Sequence, residues 1–416
     1  MEASRLDGFA KRLASKVPYF RARGAEAFRE LPLITKHQLI DNAEQFISDD
    51  FGHLRVYLTD AIYNRSGAVG VVNHQIDTGL GVVIEQTTGT TGMAGRFPKT
   101  KIERAQIAME IWRARIALDQ SASRATFTPF VHFPPGTPKD PRIYSDDPDK
   151  VAELYVDIRN RGGRWLHVQP SLLRKHLKLL RAKNVTCLRG LFQYIELTGE
   201  AMSLNDRAEV AEFFGATIVN QYGCIETWAI GYDVIGDGGF SLLTRNVHVE
   251  LVKPESGQEI HAPGELGKVV VTALKLELFP IVRYMTGDRG EWIDGPDGRR
   301  LKLNSDREAN LLRVNERLVS GTELFRVAMN MAFARLGYFY FEFIQFIQME
   351  ARTVEVHMSS TPKAEIFVIE IARAMRELNP DTLSINLSLT ILSPEQVRAR
   401  CNGKSNLFVS RLPFGP

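Results

Sequence analysis

The sequence predicts an α/β fold with a large N-terminal domain of several subdomains, one of them β-rich, and a small α+β domain at the C-terminus. Strand and helix patterns alternate between residues 125 and 221, which is typical of layered α/β domains. After residue 240 the strands become short and are separated by Pro and Gly, and a mixed pattern follows residues 304–315. We therefore expect domains at residues 1–305 and 306–416.

The composition indicates a globular protein and excludes several other classes. A chain of 416 residues exceeds what one hydrophobic core usually serves, and 44% hydrophobic with 24% charged residues is an ordinary balance. A net charge of +3 predicts neither a nucleic-acid nor a membrane partner. We expect a cytoplasmic protein, since no apolar run spans a bilayer, the N-terminus lacks a signal pattern, and the cysteines suggest no disulfide or zinc site: Cys187, Cys224 and Cys401.

The first half of the chain is expected to alternate between helices and strands. Residues 1–50 predict helices and polar loops, with apolar residues at helical spacing at Leu6, Phe9, Leu13 and Val17. Further helices are predicted at 100–119, with Ile107, Ile111 and Ile116 facing inward, at 171–183, with Ser171 as N-cap, and at 205–214. Strands are predicted at 61–63, 81–84, 125–133, 165–169, 191–197 and 217–221.

The second half predicts the β-rich subdomain and then the small C-terminal domain. The subdomain strands are expected at 247–252, 267–273 and 290–293. In the small domain we expect helices at 322–336 and 363–378, a hairpin formed by 341–349 and 353–358, and a strand at 383–392.

A segment of only threonine and glycine follows the predicted strand at 81–84. Glycine lets the backbone approach a ligand closely, and threonine hydroxyls add donors to the backbone amides, which suits phosphate oxygens. A solvated loop of low complexity is the alternative. The segment consists of Thr87, Thr88, Gly89, Thr90, Thr91 and Gly92.

Two further turns are candidates for nucleotide binding, and each has an ordinary structural alternative. One lies between a predicted strand and helix, where α/β sheets place ligands, and consists of Gly199, Glu200 and Ala201. A simple turn with a glutamate in the first helical turn is its alternative. The other holds Asp288 in a Thr-Gly-Asp sequence, whose carboxylate can bind ribose hydroxyls or form an Asx-turn or helix cap.

Two more motifs carry groups suited to phosphate chemistry. In Tyr-Gly-x-x-Glu, Tyr222 offers a flat ring, Gly223 permits a sharp turn, and Glu226 is an oxygen ligand suited to Mg²⁺. Lys404 belongs to a Gly-Lys-Ser sequence, but Arg398 stands where a Walker loop needs glycine, so this is no Walker loop. A surface lysine is the alternative for Lys404.

These motifs occur in the order and spacing of one family. From about residue 30 onward the chain resembles the acyl-adenylate-forming superfamily of acyl-CoA synthetases, luciferases and peptide-synthetase adenylation domains. Its compact length is most similar to the phenylacetate-CoA ligase branch. The resemblance implies that residues 1–305 bind ATP and an acid, and that residues 306–416 form a mobile lid.

The resemblance also implies an activity in two half-reactions. A carboxylic acid first attacks the α-phosphate of ATP, with Mg²⁺, to give acyl-AMP and pyrophosphate. A thiol or an amine then attacks the acyl-AMP. Transfer to CoA is our first interpretation, transfer to a carrier-protein thiol or an amine is the second, and a nucleotide-binding module without catalysis is the third.

The resemblance assigns roles residue by residue. The Thr/Gly segment holds the β- and γ-phosphates, Tyr222 stacks on the adenine, and Asp288 holds the ribose. Four residues are implied to act at the reacting phosphates, with Glu226 as the Mg²⁺ ligand: Lys404, Glu226, Thr227 and Arg307. The other residues implied to bind the cofactor are Gly199, Glu200, Ala201 and Gly223.

The chain departs from the family pattern at two places. Residues 93–97 separate the Thr/Gly segment from Pro98 and Lys99, which places the role of that lysine in question. Around the expected hinge, residues 306–310 and 315–317 lack the family's glycines, which belong to the loop that helps to receive the thiol. This second departure is why the acceptor stays open.

The acid pocket is expected near residues 130–133 and 228–232. Large side chains there favour a flat aromatic acid over a long fatty chain. A structural role is the alternative for His132, and we interpret Cys224 as a small packed residue. The candidate pocket residues are Phe130, His132, Phe133, Trp228, Gly231 and Tyr232.

Overall fold

The computed structural model describes residues 2–24, 27–63, 75–86, 95–118, 130–133, 140–199, 202, 204–234, 236–253, 256–296, 298–304, 311–315, 317–337, 341, 343–401 and 407–410. The chain forms two compact units. The large unit comprises Met1–Glu85 and Arg96–Asn304, and the small unit comprises Gln86–Gly95 and Ser305–Pro416. Across the described ranges, no helix has both the length and the apolar character needed to cross a membrane.

At the start of the large unit, the described residues form five α-helices that share one apolar core. The predicted strand at 61–63 is wrong, because these residues complete a helix whose Leu58 and Ile62 are buried on one face at i, i+4 spacing. Three apolar-rich residues are too few for their spacing to distinguish the two structures. The helices are α1 (Glu2–Lys16), α2 (Pro18–Arg21), α3 (Lys36–Asp41), α4 (Ala43–Phe46) and α5 (Arg55–Tyr63).

A three-stranded sheet and a long helix follow. The strands β1 (Gln75–Asp77), β2 (Val82–Gln86) and β3 (Arg96–Thr100) lie in that order, and α6 (Lys101–Leu118) starts directly after β3. A capping box fixes this start, since the Glu103 carboxylate accepts from the N–H of Thr100 at 2.6 Å while the N–H of Glu103 donates to the Thr100 hydroxyl at 3.0 Å. Along α6, Ile107 and Ile111 are buried and Ile116 is half-buried.

A ten-stranded sheet dominates the large unit. Its order is β10-β11-β12-β13-β9-β8-β7-β6-β5-β4. The strands β4 to β7 are parallel, and β9 joins them to the antiparallel part because it pairs with both β8 and β13. The β-rich region thus extends the same sheet. The strands are β4 (Phe130–His132), β5 (Trp165–Val168), β6 (Tyr194–Thr198), β7 (Thr217–Cys224), β8 (Trp228–Asp233), β9 (Gly239–Leu242), β10 (Val247–Val252), β11 (Gly267–Ala273), β12 (Tyr284–Gly295) and β13 (Gly298–Asn304).

Three helices accompany the parallel strands and bury their apolar faces together with them. They are α7 (Pro148–Asn160), α8 (Pro170–Ala182) and α9 (Leu204–Phe214). The prediction that Ser171 caps its helix is wrong, because α8 begins at Pro170 with Gln169 as the N-cap. Proline suits the first helical position, since its fixed φ is already helical and its missing N–H has no partner there.

The small unit has its own core and an α+β architecture. Its four-stranded sheet has the order β18-β17-β16-β19, and a separate hairpin pairs β14 with β15. The α/β class with a larger N-terminal and a smaller C-terminal unit is confirmed. The elements are β14 (Leu311–Val314), β15 (Arg317–Ser320), α10 (Gly321–Leu336), β16 (Ile344–Glu350), β17 (Thr353–Ser359), α11 (Ala364–Leu378), β18 (Asn386–Leu392), α12 (Pro394–Cys401) and β19 (Phe408–Ser410).

A buried histidine of α8 is hydrogen-bonded to α7 and to the segment that precedes α7. The imidazole of His176 is fully buried, with Nε2 2.8 Å from the carbonyl oxygen of Ile143 and Nδ1 3.1 Å from the hydroxyl of Tyr155. A carbonyl only accepts, so Nε2 carries the proton and Nδ1 accepts from the tyrosine. Burial lowers the pKa of His176 to about 4, so this ring is neutral in the folded protein near neutral pH.

We expect His176 to make the folded state acid-sensitive. The unfolded chain binds a proton at this ring below its ordinary pKa of 6.5, whereas the folded chain does so only near 4, so stability falls as the pH drops through this window. The contribution is at most about 3 kcal/mol. In His176→Gln, denaturant unfolding measured from pH 7 to pH 4 should show a smaller loss of free energy with acidification. An equal loss in both proteins would contradict this assignment.

Candidate functional site

Two tyrosine–carboxylate pairs connect strands that are not neighbours in the sheet. The hydroxyl of Tyr222 on β7 donates to Asp288 Oδ2 on β12 at 2.8 Å, and the hydroxyl of Tyr284 on β12 donates to Glu226 Oε1 at 2.9 Å. Three strands lie between β7 and β12 in the sheet order, a separation of roughly 19 Å if the sheet were flat. The sheet is therefore strongly curled, and the curl brings predicted nucleotide-binding residues together.

A bulge in β12 places Asp288. The β11–β12 register passes from Lys268↔Arg289 to Val270↔Met285, so three residues of β12 lie opposite one residue of β11. Gly287 at the centre has φ +78°, a left-handed conformation that favours glycine. The sequence interpretation of a Thr-Gly-Asp turn thus corresponds to a bulge inside a strand.

The hairpin turn between β7 and β8 carries Glu226 and Thr227. Gly223 has no room for a side chain, because a Cβ there would lie 2.4 Å from the carbonyl oxygen of Trp228. Thr227 is buried, and its hydroxyl lies 3.2 Å from the sulfur of Cys224. Burial raises the pKa of the Cys224 thiol to about 12, which agrees with a packed residue and not with a nucleophile.

The lysine after the Thr/Gly segment has a structural position. Lys99 is fully buried, and its ammonium donates to Glu85 Oε2 at 2.9 Å and to the carbonyl oxygen of Ile225 at 2.7 Å. The indole N–H of Trp228 donates to the same Glu85 oxygen at 2.6 Å. These bonds tie β2 and β3 to the turn that holds Glu226.

Glu226 is a buried carboxylate with a cation beside it. Lys36 Nζ, at the start of α3, lies 3.5 Å from Glu226 Oε1, and the Glu226 side chain is 6% exposed. Burial alone would raise the pKa of Glu226, but Lys36 and the Tyr284 hydroxyl outweigh it and the pKa is lowered. Lys36 lies in none of the sequence motifs. Its one local signal is the Thr35-x-x-Gln38 capping box, which marks a helix start and no function.

The predicted acid-pocket residues divide between two faces of the sheet. Phe130 and His132 share a face with His167 of β5, with ring centroids 6.1 and 4.8 Å from that imidazole. Phe133 lies on the other face, where it packs against Tyr155 and His176 in the α7–α8 core. Strand alternation produces this separation, so Phe133 does not join the other two.

A buried ionic network lies behind Phe130 and His132. Arg115 of α6 makes two hydrogen bonds to Glu196 of β6 at 2.8 and 2.9 Å, and its guanidinium lies 4.6 Å from the Phe130 ring centroid. The Tyr232 hydroxyl donates to Glu196 at 3.2 Å. Partial desolvation, together with His167 and Arg115, lowers the pKa of His132 to about 4. The rings on this face are therefore uncharged, and the charges of Arg115 and Glu196 behind them are paired with each other.

The remaining predicted residues have other positions or lie outside the described residues. The indole of Trp228 donates to Glu85, and Gly231 packs under β9, where a Cβ would lie 2.8 Å from the carbonyl oxygen of Ser241. Gly199 is exposed, with φ +77°. The predicted residues outside the described ranges are Thr87, Thr88, Gly89, Thr90, Thr91, Gly92, Glu200, Ala201, Arg307 and Lys404.

The fold is similar to that of known ligases. No protein-family model and no curated protein sequence matches the chain. A structure of 2-hydroxyisobutyryl-CoA ligase in the postadenylation state with R3-HIB-AMP has a TM-score of 0.54 at 14% identity, covering 94% of this chain and 85% of that chain. The same ligase in the thioesterification state, with 2-HIB-AMP and CoA, has a TM-score of 0.52 at 14% identity, covering 98% and 89%. The chain therefore shares the fold of these acyl-CoA ligase structures.

We expect the Lys99–Glu85 pair to be a large single contribution to stability. Lys99→Met removes the ammonium beside the buried Glu85 carboxylate, which keeps Arg104 Nε at 3.1 Å as a second cation. The free energy of unfolding should fall by up to about 3–5 kcal/mol. The double variant with Glu85→Gln should lose less than the sum of the two single variants, as denaturant titration can measure.

Lys101→Met is the matched control for this cycle, because Lys101 pairs with Asp77 at the exposed surface. Its free energy of unfolding should stay close to that of the unaltered protein. Additive losses in the double variant, or a loss in Lys99→Met no larger than in this control, would contradict the role given to the buried pair.

Proposed function

We propose that this protein is an ATP-dependent ligase that activates a small carboxylic acid as an acyl-AMP and transfers the acyl group to CoA. The observation that best supports it is the pairing of Tyr222 with Asp288 and of Glu226 with Tyr284. Motifs far apart in the chain meet there, and their side chains suit a nucleoside and a metal-bound phosphate. The shared fold and the phenylacetate-CoA ligase-like motifs add to this support.

In the first step, a carboxylate oxygen attacks the α-phosphorus of ATP. The new bond joins the acid to AMP, the bond to the bridging oxygen breaks, and its electron pair leaves with pyrophosphate. In the second step, the CoA sulfur attacks the acyl carbonyl carbon after its proton has passed to solvent, and AMP leaves with the electron pair of the broken bond. Since the first step joins two anions, positive charge at the α-phosphate is the main requirement.

Residues of several motifs are assigned to the nucleoside and phosphate contacts of this proposal. The hydrogen bond from Tyr222 orients the Asp288 carboxylate, which then binds the ribose hydroxyls. Thr227, beside Glu226 in the same turn, is assigned to the α-phosphate. Arg307 and Lys404 are assigned to the charge that develops there, and the Thr/Gly segment 87–92 to the β- and γ-phosphates.

A single Mg²⁺ fits the donor chemistry at Glu226. Among the residues with described positions, no cluster of three or more His, Cys, Asp or Glu side chains is arranged to hold a metal ion. One buried carboxylate is nevertheless what Mg²⁺ uses when the nucleotide supplies phosphate oxygens and water completes the shell. When bound, the ion neutralises charge on the phosphates. Tyr284 and Lys36 hold Glu226 charged and oriented for this role.

The acid is proposed to bind at the face formed by Phe130, His132 and Tyr232. Neutral rings beside the paired Arg115 and Glu196 favour a flat aromatic acid over a long fatty chain. Phe133 is excluded from this wall, because it packs in the α7–α8 core. Transfer to a carrier-protein thiol or an amine is the second candidate, and the missing hinge glycines at 306–310 favour it.

Acid-dependent ATP–pyrophosphate exchange, with Mg²⁺ and without CoA, tests the first step. We expect exchange with aromatic acids and less with short aliphatic ones. Adding CoA, a carrier protein or amines to the acyl-AMP then identifies the acceptor. Background exchange with every acid, in a protein that binds ATP, would replace the proposal with a nucleotide-binding module.

Lys404→Ala should reduce exchange by about 10²–10³-fold while ATP binding is largely retained. The reason is that the lysine is assigned to the charge that develops between the acid and the α-phosphate and not to the nucleoside. Lys178→Ala, on the exposed face of α8, is the control and should exchange normally. Normal exchange in the Lys404 variant would remove that residue from the site.

A further inference from the structure

Lys36 occupies a position that none of the sequence motifs includes. It is the first residue of α3, its side chain is 17% exposed, and its ammonium lies 3.5 Å from Glu226 Oε1 and 5.9 Å from the centre of the Phe97 ring. Lysine side chains usually extend into water. This one is instead directed to the carboxylate that the motifs assign to the phosphates.

The backbone just before Lys36 is hydrogen-bonded to the start of β12, the strand whose Tyr284 bonds to Glu226. The N–H of Ile34 donates to the carbonyl of Arg283 at 2.9 Å, and the N–H of Met285 donates to the carbonyl of Ile34 at 2.9 Å. This bridge sets residue 34 beside Tyr284, whose hydroxyl bonds to the same Glu226 oxygen. The capping box of Thr35 and Gln38 then begins the helix at Lys36. The position of Lys36 is therefore fixed by backbone hydrogen bonds and by the capping box at the start of α3.

Arg283 strengthens this attachment. Its guanidinium is buried, bonds to Glu250 at 3.0 and 3.2 Å, and donates to the carbonyl oxygens of Arg29 and Leu31 at 3.0 and 2.6 Å. The segment that leads into α3 is thus held by side-chain bonds as well as by the backbone bridge.

The contact between Lys36 and Glu226 is electrostatic. A separation of 3.5 Å exceeds the usual 2.7–3.2 Å of a strong N–H···O bond, so the pair is held by charge more than by one directional bond. An ammonium has three rotatable donors and acts as a point charge toward phosphate. Lys99, which also lies near this turn, is fully buried and pairs with Glu85.

We infer that Lys36 is a phosphate-binding residue, which contacts phosphate oxygens of the nucleotide beside Glu226. This inference rests on the proposed function, because it requires that a nucleotide binds at Glu226. In this role the lysine faces Glu226 before the nucleotide arrives and then also contacts the phosphates. It adds a positive charge that belongs to the protein and does not depend on a metal ion.

The test is calorimetric titration of the full chain with ATP, once with Mg²⁺ and once with EDTA. Lys36→Met should weaken binding by about tenfold or more in both conditions, because the contact does not need the metal. Lys36→Arg, which keeps the charge, should recover most of the affinity. Lys101→Met removes an exposed lysine that pairs with Asp77 and should bind as the unaltered protein does. Unchanged affinity in Lys36→Met overturns the inference.

Amine labelling of the unaltered protein tests the same contact without a variant. ATP in EDTA should slow acylation of Lys36 and leave Lys101 unaffected, as peptide mass spectrometry can follow. Equal labelling of Lys36 with and without ATP overturns the inference. If ATP binds and protects Lys36 but no acid supports exchange, the proposed ligase activity fails while the phosphate contact stands. If ATP does not bind at all, both fail.

Discussion

The fully buried ammonium of Lys99 is the constraint on which the candidate site depends. An ammonium without water is stable only when charged and polar partners surround it, and here they come from two other parts of the chain, Glu85 and the carbonyl of Ile225. The small sheet β1–β3 and the β7–β8 turn are therefore held in one relative position. Glu226 follows Ile225 directly, so its position depends on an interaction that takes no part in the proposed chemistry.

The curl of the large sheet is the second constraint, and it concerns the same β7–β8 turn that Lys99 holds. It brings β12 against the β7–β8 hairpin, where Tyr222 and Tyr284 each donate to a carboxylate across the curl. In one pair the tyrosine lies on β7 and the carboxylate on β12. In the other pair the tyrosine lies on β12 and the carboxylate in the β7–β8 turn. Displacing either strand would break both pairs, so the nucleoside and phosphate residues are fixed relative to each other.

Patterns local in sequence predicted the fold well, and patterns that require three-dimensional contact did not. Alternation of strands and helices was sufficient for the α/β class, whereas a three-residue stretch was not sufficient to distinguish the end of α5 from a strand. Strand alternation could have separated Phe133 from Phe130, but proximity in sequence outweighed it. Lys36 and Glu85 carry no motif, since their partners lie far away in the chain. The site roles themselves stay predictions.

The indole of Trp228 is a fluorescent group within the candidate site. Its N–H is bonded to the buried Glu85 carboxylate, and the Arg104 guanidinium lies 5.2 Å from its ring centroid. Indole emission depends on the electric field across the ring, and here fixed charges of both signs set that field, one residue beyond Thr227. Anions and cations that enter at Glu226 therefore change the field at this ring, so the chain contains an intrinsic fluorophore at the turn where the phosphates are proposed to bind.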